Sequence, residues 1–128
     1  MQMYATVGTN DLERAVAFYD ALLPEAGMRT LFDHPKGGRF YRAKGGGLFG
    51  VLTPYDRQAA CVGNGMMHGF GLESPGAVDA FHAKALSLGA VNEGAPGPRG
   101  PEAWGAYFGY FRDLDGNKFA AYHFAARD

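Results

Sequence analysis

The sequence predicts an α+β fold made of two successive βαβββ modules. The same order of strand and helix signals occurs twice, each helix signal is amphipathic with a capping residue, and each half ends on a strand pair joined by a Gly-containing turn. The first module covers residues 3–54 and the second covers 66–124. Residues 55–65, which lack hydrophobic periodicity, form a linker. We therefore predict one domain over residues 1–128, a length that suits a single core.

Composition excludes several classes of protein. Hydrophobic residues make up 47% of the chain and charged residues 20%, and the formal net charge is −1. Because nucleic-acid binding needs clustered Lys and Arg, we expect no nucleic-acid partner. The single cysteine, Cys61, cannot form an internal disulfide and fits a reducing compartment. With neither a signal-peptide pattern nor an apolar run of about 18 residues, the sequence predicts a cytoplasmic protein without a membrane contact.

One helix among four strands is predicted in the first module. Asn10 is expected to cap the helix, with Glu13 as its capping-box partner, and Gly27 to lie beyond its end. Apolar side chains recur at three- and four-residue steps across residues 12–23, which indicates one buried face. The four strands are predicted at 3–9, 28–34, 39–43 and 48–53.

The second module repeats this order. Ser74 is a predicted N-cap followed by Pro75 at the first helical position, and Gly89 ends the helix. A Pro/Gly loop is predicted over 94–101, and Asp115-Gly116-Asn117 is strong turn chemistry for a hairpin. The strands are predicted at 66–73, from 90 to 93, at 104–112, and after the hairpin turn.

The repeat supplies an alignment between the modules. Gly27 matches Gly89, and the turn at Gly46 matches the turn at Gly116. In this alignment Tyr4 falls opposite His68, with an offset that drifts from about 62 to 70 through loop insertions.

Two motifs carry a family resemblance. The helix entry Asn-Asp-Leu-Glu-Arg-Ala-Val-Ala-Phe-Tyr and the hairpin Arg-Asp-Leu-Asp-Gly-Asn-Lys, in this order and spacing, resemble the glyoxalase / bleomycin-resistance / extradiol-dioxygenase superfamily, also called vicinal oxygen chelate proteins. Leu114 stands where the family's hairpin commonly has Pro. The resemblance spans residues 3–124 and implies a half-open curved barrel with a ligand cavity. It also implies a homodimer and, in many members, a bound divalent metal.

The family's metal-ligand positions, carried over by the resemblance, have lost most of their donors. They fall on Tyr4, Gly50, His68 and Ala120, with Phe49 in place of Gly50 if the register slips by one. Only His68 is an ordinary ligand, whereas sites for Zn²⁺, Fe²⁺, Ni²⁺ or Mn²⁺ need about three or more N or O donors. We therefore predict no cofactor and no family-type metal site. A metal-dependent site that uses His68 is the alternative.

Candidate binding residues follow from strand alternation. His68 is the candidate for proton transfer or a polar contact, and a buried, internally satisfied histidine is the other interpretation. If Arg112 faces Lys118 across the hairpin turn, aromatic side chains line the face of Ala120, as in an apolar ligand pocket. An ordinary core or a dimer interface would have the same pattern. Arg99, in the predicted loop, is a candidate for attracting an anion. The predicted ligand-binding residues are Tyr4, Thr6, Phe49, His68, Arg99, Trp104, Phe108, Tyr110 and Tyr122.

Three functions remain open from the sequence. The first is a small-molecule-binding protein that holds its ligand in the barrel cavity without a metal. The second is a lactoylglutathione lyase-like enzyme, or another metal-dependent lyase, isomerase or dioxygenase, that uses His68. The third is a non-catalytic interaction domain. The expected partners are a small-molecule ligand and a second copy of the chain.

Overall fold

A computed structural model describes residues 2–125 of the chain, which divides into two compact units, one ending at Gly65 and one beginning at Met66. Each unit contains a four-stranded mixed sheet and one α-helix. The predicted α+β class, with two βαβββ modules, is confirmed, and neither of the two described sheets closes into a barrel. Within the described range, neither helix has the length and apolarity needed to cross a bilayer.

The first unit has the strand order β1-β4-β3-β2, with β1 parallel to β4 and the other pairs antiparallel. Its helix runs into a short 3-10 segment, and Gly27 follows with φ of 71°, a left-handed conformation that glycine accepts at no steric cost. The elements are β1 Tyr4–Gly8, α1 Leu12–Leu22, the 3-10 segment Leu23–Ala26, β2 Met28–Asp33, β3 Gly38–Ala43 and β4 Leu48–Leu52.

The N-cap of α1 is Asp11, so the prediction of Asn10 was wrong by one residue. The Asp11 carboxylate accepts a hydrogen bond from the Arg14 backbone N–H at 3.1 Å. Asn10 instead binds the backbone of Ala60 in both directions, accepting from its N–H at 2.7 Å and donating to its carbonyl at 3.1 Å. Both side chains are able to cap a helix, and the contact with Ala60 decides between them.

Helix α1 covers one face of its sheet. Tyr19 lies against Phe49, with ring centroids 5.0 Å apart, and Phe49 lies against Tyr41 at 6.5 Å. The Tyr41 hydroxyl donates to Asp20 at 2.7 Å. Burial raises the pKa of Tyr41, and the hydrogen bond to the Asp20 carboxylate raises it further.

The second unit has the matching order β5-β8-β7-β6, with β5 parallel to β8. Ser74 caps its helix as predicted, since its Oγ accepts from the Ala77 backbone N–H at 3.0 Å. The elements are β5 His68–Gly71, α2 Pro75–Ser87, β6 Val91–Arg99, the 3-10 segment Glu102–Trp104, β7 Ala106–Arg112 and β8 Lys118–Phe124.

Two segments between α2 and β7 differ from the prediction. Residues 94–99, expected in a loop, belong to β6 and pair with β7. Because β6 is an edge strand and its register shifts twice, it accommodates prolines that a central strand would exclude. Trp104, expected in a strand, lies in the 3-10 segment that precedes β7 and is 55% exposed.

An aromatic core joins α2 to its sheet. Phe81 of the helix contacts Phe70 and Phe111, and Phe119 stacks on both of these sheet residues at 5.3 and 5.5 Å between centroids. His82 is 4% exposed, and its Nε2 lies 3.1 Å from Asn92 Oδ1 and 3.0 Å from the Tyr110 carbonyl. His82 is therefore a core residue with its hydrogen bonds made.

The β7–β8 turn is held by one buried carboxylate. Asp113, 4% exposed, accepts from the backbone N–H groups of Asp115 and Asn117 at 3.0 and 2.8 Å and from the Asn117 side-chain amide at 2.9 Å. Gly116 has φ of 90°, as the turn requires. The turn pairs Arg112 with Lys118, as predicted.

We expect Asp113→Ala to lower the free energy of unfolding by about 2–3 kcal/mol, because it leaves several donors at a buried turn without their charged acceptor. Asp56→Ala is the matched control: Asp56 is exposed and accepts one backbone hydrogen bond, from Gln58, so the loss should be about 0.5 kcal/mol. Urea unfolding followed by circular dichroism measures both. Equal losses would contradict the role given to Asp113.

Candidate functional site

Each sheet has a helix side and a second side, here called its open face. In the first unit, Tyr41 and Phe49 point to α1, so their alternate neighbours Phe40 and Gly50 lie on the open face. The parallel register places Thr6 beside Gly50, on that same face. The open face of the first sheet carries Tyr4, Thr6, Phe40, Arg42, Leu48 and Gly50.

Phe49 is not available to a ligand on the open face. Its side chain is 3% exposed and belongs to the core between Tyr19 and Tyr41. The one-residue slip that would have exchanged Phe49 with Gly50 is absent from the described register. The sequence-based assignment of Phe49 to the ligand-binding set is corrected on this ground.

An aromatic ring lies over Gly50, where the family resemblance places a metal ligand. A Cβ on Gly50 would lie 2.8 Å from Phe40 Cε1. Phe32 stacks on Phe40 at 5.0 Å between centroids, and Tyr4 meets Phe40 edge-on at 6.5 Å. A larger side chain at position 50 thus requires the Phe40 ring to move.

His68 lies on the helix side of the second sheet. It pairs with Phe119, with ring centroids 6.0 Å apart, whereas Ala120 pairs with Gly69 on the open face. His68 and Ala120 therefore project from opposite sides of the sheet. The structure does not bring His68 to the face that carries the Ala120 position.

The structure gives an alignment between the modules that differs from the sequence alignment by one residue. The true caps, Asp11 and Ser74, set the offset between the modules at 63, since 74 − 11 = 63. The sequence alignment placed Tyr4 opposite His68, which is an offset of 64. The corrected offset places Tyr4 opposite Met67, since 4 + 63 = 67. The carboxylate-bearing side chain at Asp11 was the signal that could have fixed this register.

The residues at the family's ligand positions do not supply a divalent-metal donor set. With the corrected register these positions hold Tyr4, Gly50, Met67 and Ala120. Glycine and alanine have no donor atom, and a thioether suits soft metals rather than Zn²⁺ or Mn²⁺. Among residues 2–125, no group of three or more His, Cys, Asp or Glu side chains is arranged to hold a metal ion.

The open face of the second sheet is an aromatic surface, which we call the aromatic platform. Phe108 stacks on Tyr122 at 5.2 Å and on Tyr110 at 6.0 Å, and meets Phe124 edge-on at 5.5 Å. The three rings of Phe108, Tyr110 and Tyr122 are half-buried, and Phe124 is 51% exposed. The predicted sharing of one face by Phe108, Tyr110, Ala120 and Tyr122 agrees with the register.

Glycines beneath the platform leave room for its rings. A Cβ on Gly69 would lie 2.9 Å from Tyr122 Cε1, and one on Gly71 would lie 3.0 Å from the Tyr122 hydroxyl. Tyr122 therefore lies flat along β5. This close approach explains why glycine alternates with larger residues in that strand.

Two cations flank Tyr110 on the platform. Arg99 Cζ lies 5.5 Å and Lys118 Nζ 5.6 Å from the centre of the Tyr110 ring, within cation–π range. Arg99 is held in place by donating to the Ala95 and Pro98 carbonyls at 2.7 and 3.2 Å. Neither cation forms an ion pair with a carboxylate in the part of the chain that the structure describes.

Neighbouring groups near the platform are already neutralised. Arg112 donates to the Glu93 carboxylate and to the Gly116 carbonyl, the latter at 2.9 Å. The Arg112 hydrogen bond holds the pKa of Glu93 below its ordinary value. On the helix side, the Tyr107 hydroxyl donates to Asp79 at 2.7 Å, which raises the pKa of Tyr107.

Sequence reasoning missed Lys118, Phe124 and Phe40. The hairpin register predicts Lys118 on the face of Tyr110, and alternation from Tyr122 predicts Phe124 there, so both could have been found. Trp104 was included, but its ring packs on Gly100 beside the 3-10 segment rather than among the stacked rings of the platform.

Comparison with solved structures gives close overall matches. A glyoxalase/bleomycin resistance protein from Albidiferax ferrireducens T118 is 41% identical, with a TM-score of 0.85 over 95% of this chain and 97% of that one. A lactoylglutathione lyase from Agrobacterium tumefaciens is 22% identical, with a TM-score of 0.67 over 94% and 91%. A genomically encoded fosfomycin resistance protein from Listeria monocytogenes is 17% identical, with a TM-score of 0.68 over 96% and 92%.

Neither a family model nor a curated protein sequence matches the chain. The two neighbours below 25% identity share the fold, and the 41% match extends to the sequence.

Gly50→Ala is expected to destabilise the protein by about 1–3 kcal/mol, because the new methyl group overlaps the Phe40 ring. In a Phe40→Leu background the same change should cost at least about 0.5 kcal/mol less, since the smaller side chain can move aside. Gly45→Ala is the control, with nothing within 4 Å of its Cβ. Chemical unfolding of the four variants measures the coupling; additive costs would contradict the packing described.

Proposed function

The chain belongs to the glyoxalase/bleomycin resistance/dioxygenase family, and from that premise we propose that it binds a small molecule without the divalent metal that many members use. The observation that carries the proposal is the aromatic platform with its two cations. The platform takes the place of metal chemistry on the open face of the second sheet. The ligand we propose is planar and carries an anionic group.

The metal-free part of the proposal is supported by side-chain chemistry. In the strand register of the structure, Met67 rather than His68 occupies a family ligand position. None of the four positions then has a nitrogen or carboxylate donor. The space over Gly50 is taken by Phe40, so a carboxylate could not be restored there by one substitution without displacing the ring. At position 50, a side chain able to bind a metal and the Phe40 ring therefore compete for the same space.

The ligand class is supported by the geometry around Tyr110. Half-buried rings offer flat apolar area to a planar ligand, and each ring contact contributes on the order of 1 kcal/mol beyond the burial of area. Arg99 and Lys118 lie at the same ring without a carboxylate partner among the described residues, so an anionic group could meet them without first breaking an ion pair. Arg99 is further pre-positioned by two backbone carbonyls, which lowers the entropic cost of binding.

Binding is favoured over turnover by the position of His68. Acid–base catalysis needs a titratable group within hydrogen-bond reach of the reacting atom, and His68 projects from the opposite side of the sheet to Tyr110 and Tyr122. The lyase-like alternative, which assigns the proton transfer to His68, thus has no support from the position of that side chain. The homodimer and the cytoplasmic location stay predictions from the sequence.

We expect 2-naphthoate, a planar aromatic carboxylate, to bind with a dissociation constant below about 1 mM, measured by isothermal titration calorimetry. The neutral analogue 2-naphthamide should bind several-fold more weakly because it cannot use the two cations. Tyr110→Leu should weaken 2-naphthoate binding by about tenfold, since it removes the ring that both cations flank.

The matched control is Tyr55→Leu, which removes a tyrosine that is 88% exposed in the linker and should leave the affinity unchanged. Titration after treatment with a chelator should give the same affinity as before. Binding that disappears with the chelator and returns with Zn²⁺ or Ni²⁺ would refute the metal-free part. Equal loss in Tyr55→Leu and Tyr110→Leu would refute the platform as the site.

A further inference from the structure

A cavity in the first unit is lined by positive charge. Its volume is about 780 Å³, within the range of small-molecule sites, and Arg29, Arg42 and Lys44 all line it. None of its described lining residues is acidic. We call it the basic pocket. It lies at the end of the β2–β3 ladder, beside the β3–β4 turn, and all its lining residues belong to the first unit.

Two arginines face each other directly across the ladder. Arg29 of β2 pairs with Arg42 of β3, which in an antiparallel pair puts their side chains on the same face, with Cβ atoms about 5 Å apart. Both side chains are exposed, and like charges directly opposite each other destabilise a sheet.

Some other arginines of the chain do have carboxylate partners. Arg39, on the same strand as Arg42, binds Asp20 at 2.6 Å and Asp33 at 2.7 Å. In contrast, Arg29 and Arg42 form no ion pair within residues 2–125. Arg29 and Arg42 thus lack the carboxylate partners that the neighbouring Arg39 has.

The second module supplies an internal comparison. The hairpin offset of 70 makes Arg112 the counterpart of Arg42, since 42 + 70 = 112. Arg112 lies opposite Val91 and is neutralised by Glu93 of the neighbouring strand. At the same place the first module has a second arginine opposite and no acid. In the second module the charge of the arginine is neutralised by an acid of the same module. In the first module two guanidinium groups are left to bind an external anion.

We propose that the basic pocket binds the phosphate or carboxylate group of a small molecule, with Arg29 and Arg42 as paired guanidinium donors. Guanidinium groups present planar, bidentate donor pairs that match the oxygens of such groups. Lys44 adds a third positive charge at the wall. The anion relieves the repulsion between the two arginines, so binding and stability are linked.

The test uses inorganic phosphate and glutarate as probes, titrated calorimetrically into the full chain at low ionic strength in a buffer without oxyanions. Saturable binding of at least one probe, with a dissociation constant on the order of 1 mM, is expected. The tighter probe identifies the group. Arg42→Gln should weaken it about tenfold, a value typical of losing one charge-assisted contact.

Arg29→Glu gives the first module an acid beside Arg42, as Glu93 lies beside Arg112 in the second. We expect it to abolish probe binding and to raise the melting temperature in oxyanion-free buffer. Arg57→Gln, which removes the same charge from an exposed position after β4, should leave binding unchanged. Tyr110→Leu should also bind the probe normally, because it alters the platform and keeps the pocket.

Three results would overturn the proposal: saturable binding of neither probe, an equal loss in Arg57→Gln and Arg42→Gln, or probe binding retained in Arg29→Glu. If Arg29→Glu does not fold, Arg42→Gln against Arg57→Gln decides alone. Failure of the pocket proposal does not decide whether 2-naphthoate binds at the platform, because Tyr110→Leu alters the platform and leaves the pocket intact.

Discussion

The register of the parallel strand pair β5 and β8 decides which side chains of the second unit can meet a ligand. Gly69 is level with Ala120, so His68 and Phe70 point to the helix while Tyr122 stays on the open face. A slip of one residue would bring His68 to the open face, but it would also expose Phe70, which contacts Phe81 and Phe119 in the core. Exposing one buried phenylalanine costs about 2–3 kcal/mol, so the hydrophobic core fixes the position of the histidine.

Glycines and aromatic rings on the open faces depend on each other. Phe40 can lie over Gly50, and Tyr122 over Gly69 and Gly71, only because those positions lack a Cβ. A carboxylate at such a position and a ring above it exclude one another sterically. At Gly50 the ring of Phe40 occupies the space that a ligating side chain would need. The chain has the family's sheet and turn geometry, but the residues at the family's ligand positions on its open faces are not metal donors of the usual kind.

Features set by local chemistry could be predicted from the sequence, and features set by distant contacts could not. The Asp-Gly-Asn turn, the Ser74 cap and the hairpin register follow from residues within a few positions of one another. The choice of Asp11 over Asn10 depends on Ala60, some 50 residues away. The extension of β6 through a proline-containing segment likewise needs its partner strand β7.

The central claim, that an aromatic surface flanked by cations has replaced the metal site, is tested most directly by a crystal structure of the protein grown with Zn²⁺ and 2-naphthoate, with anomalous data at the zinc edge. The account predicts the naphthalene ring against Tyr110 and Tyr122, its carboxylate towards Arg99 or Lys118, and no zinc peak on the open face of either sheet. A zinc ion bound at Tyr4, Gly50, Met67 or Ala120, with the naphthoate carboxylate coordinated to it, would contradict it.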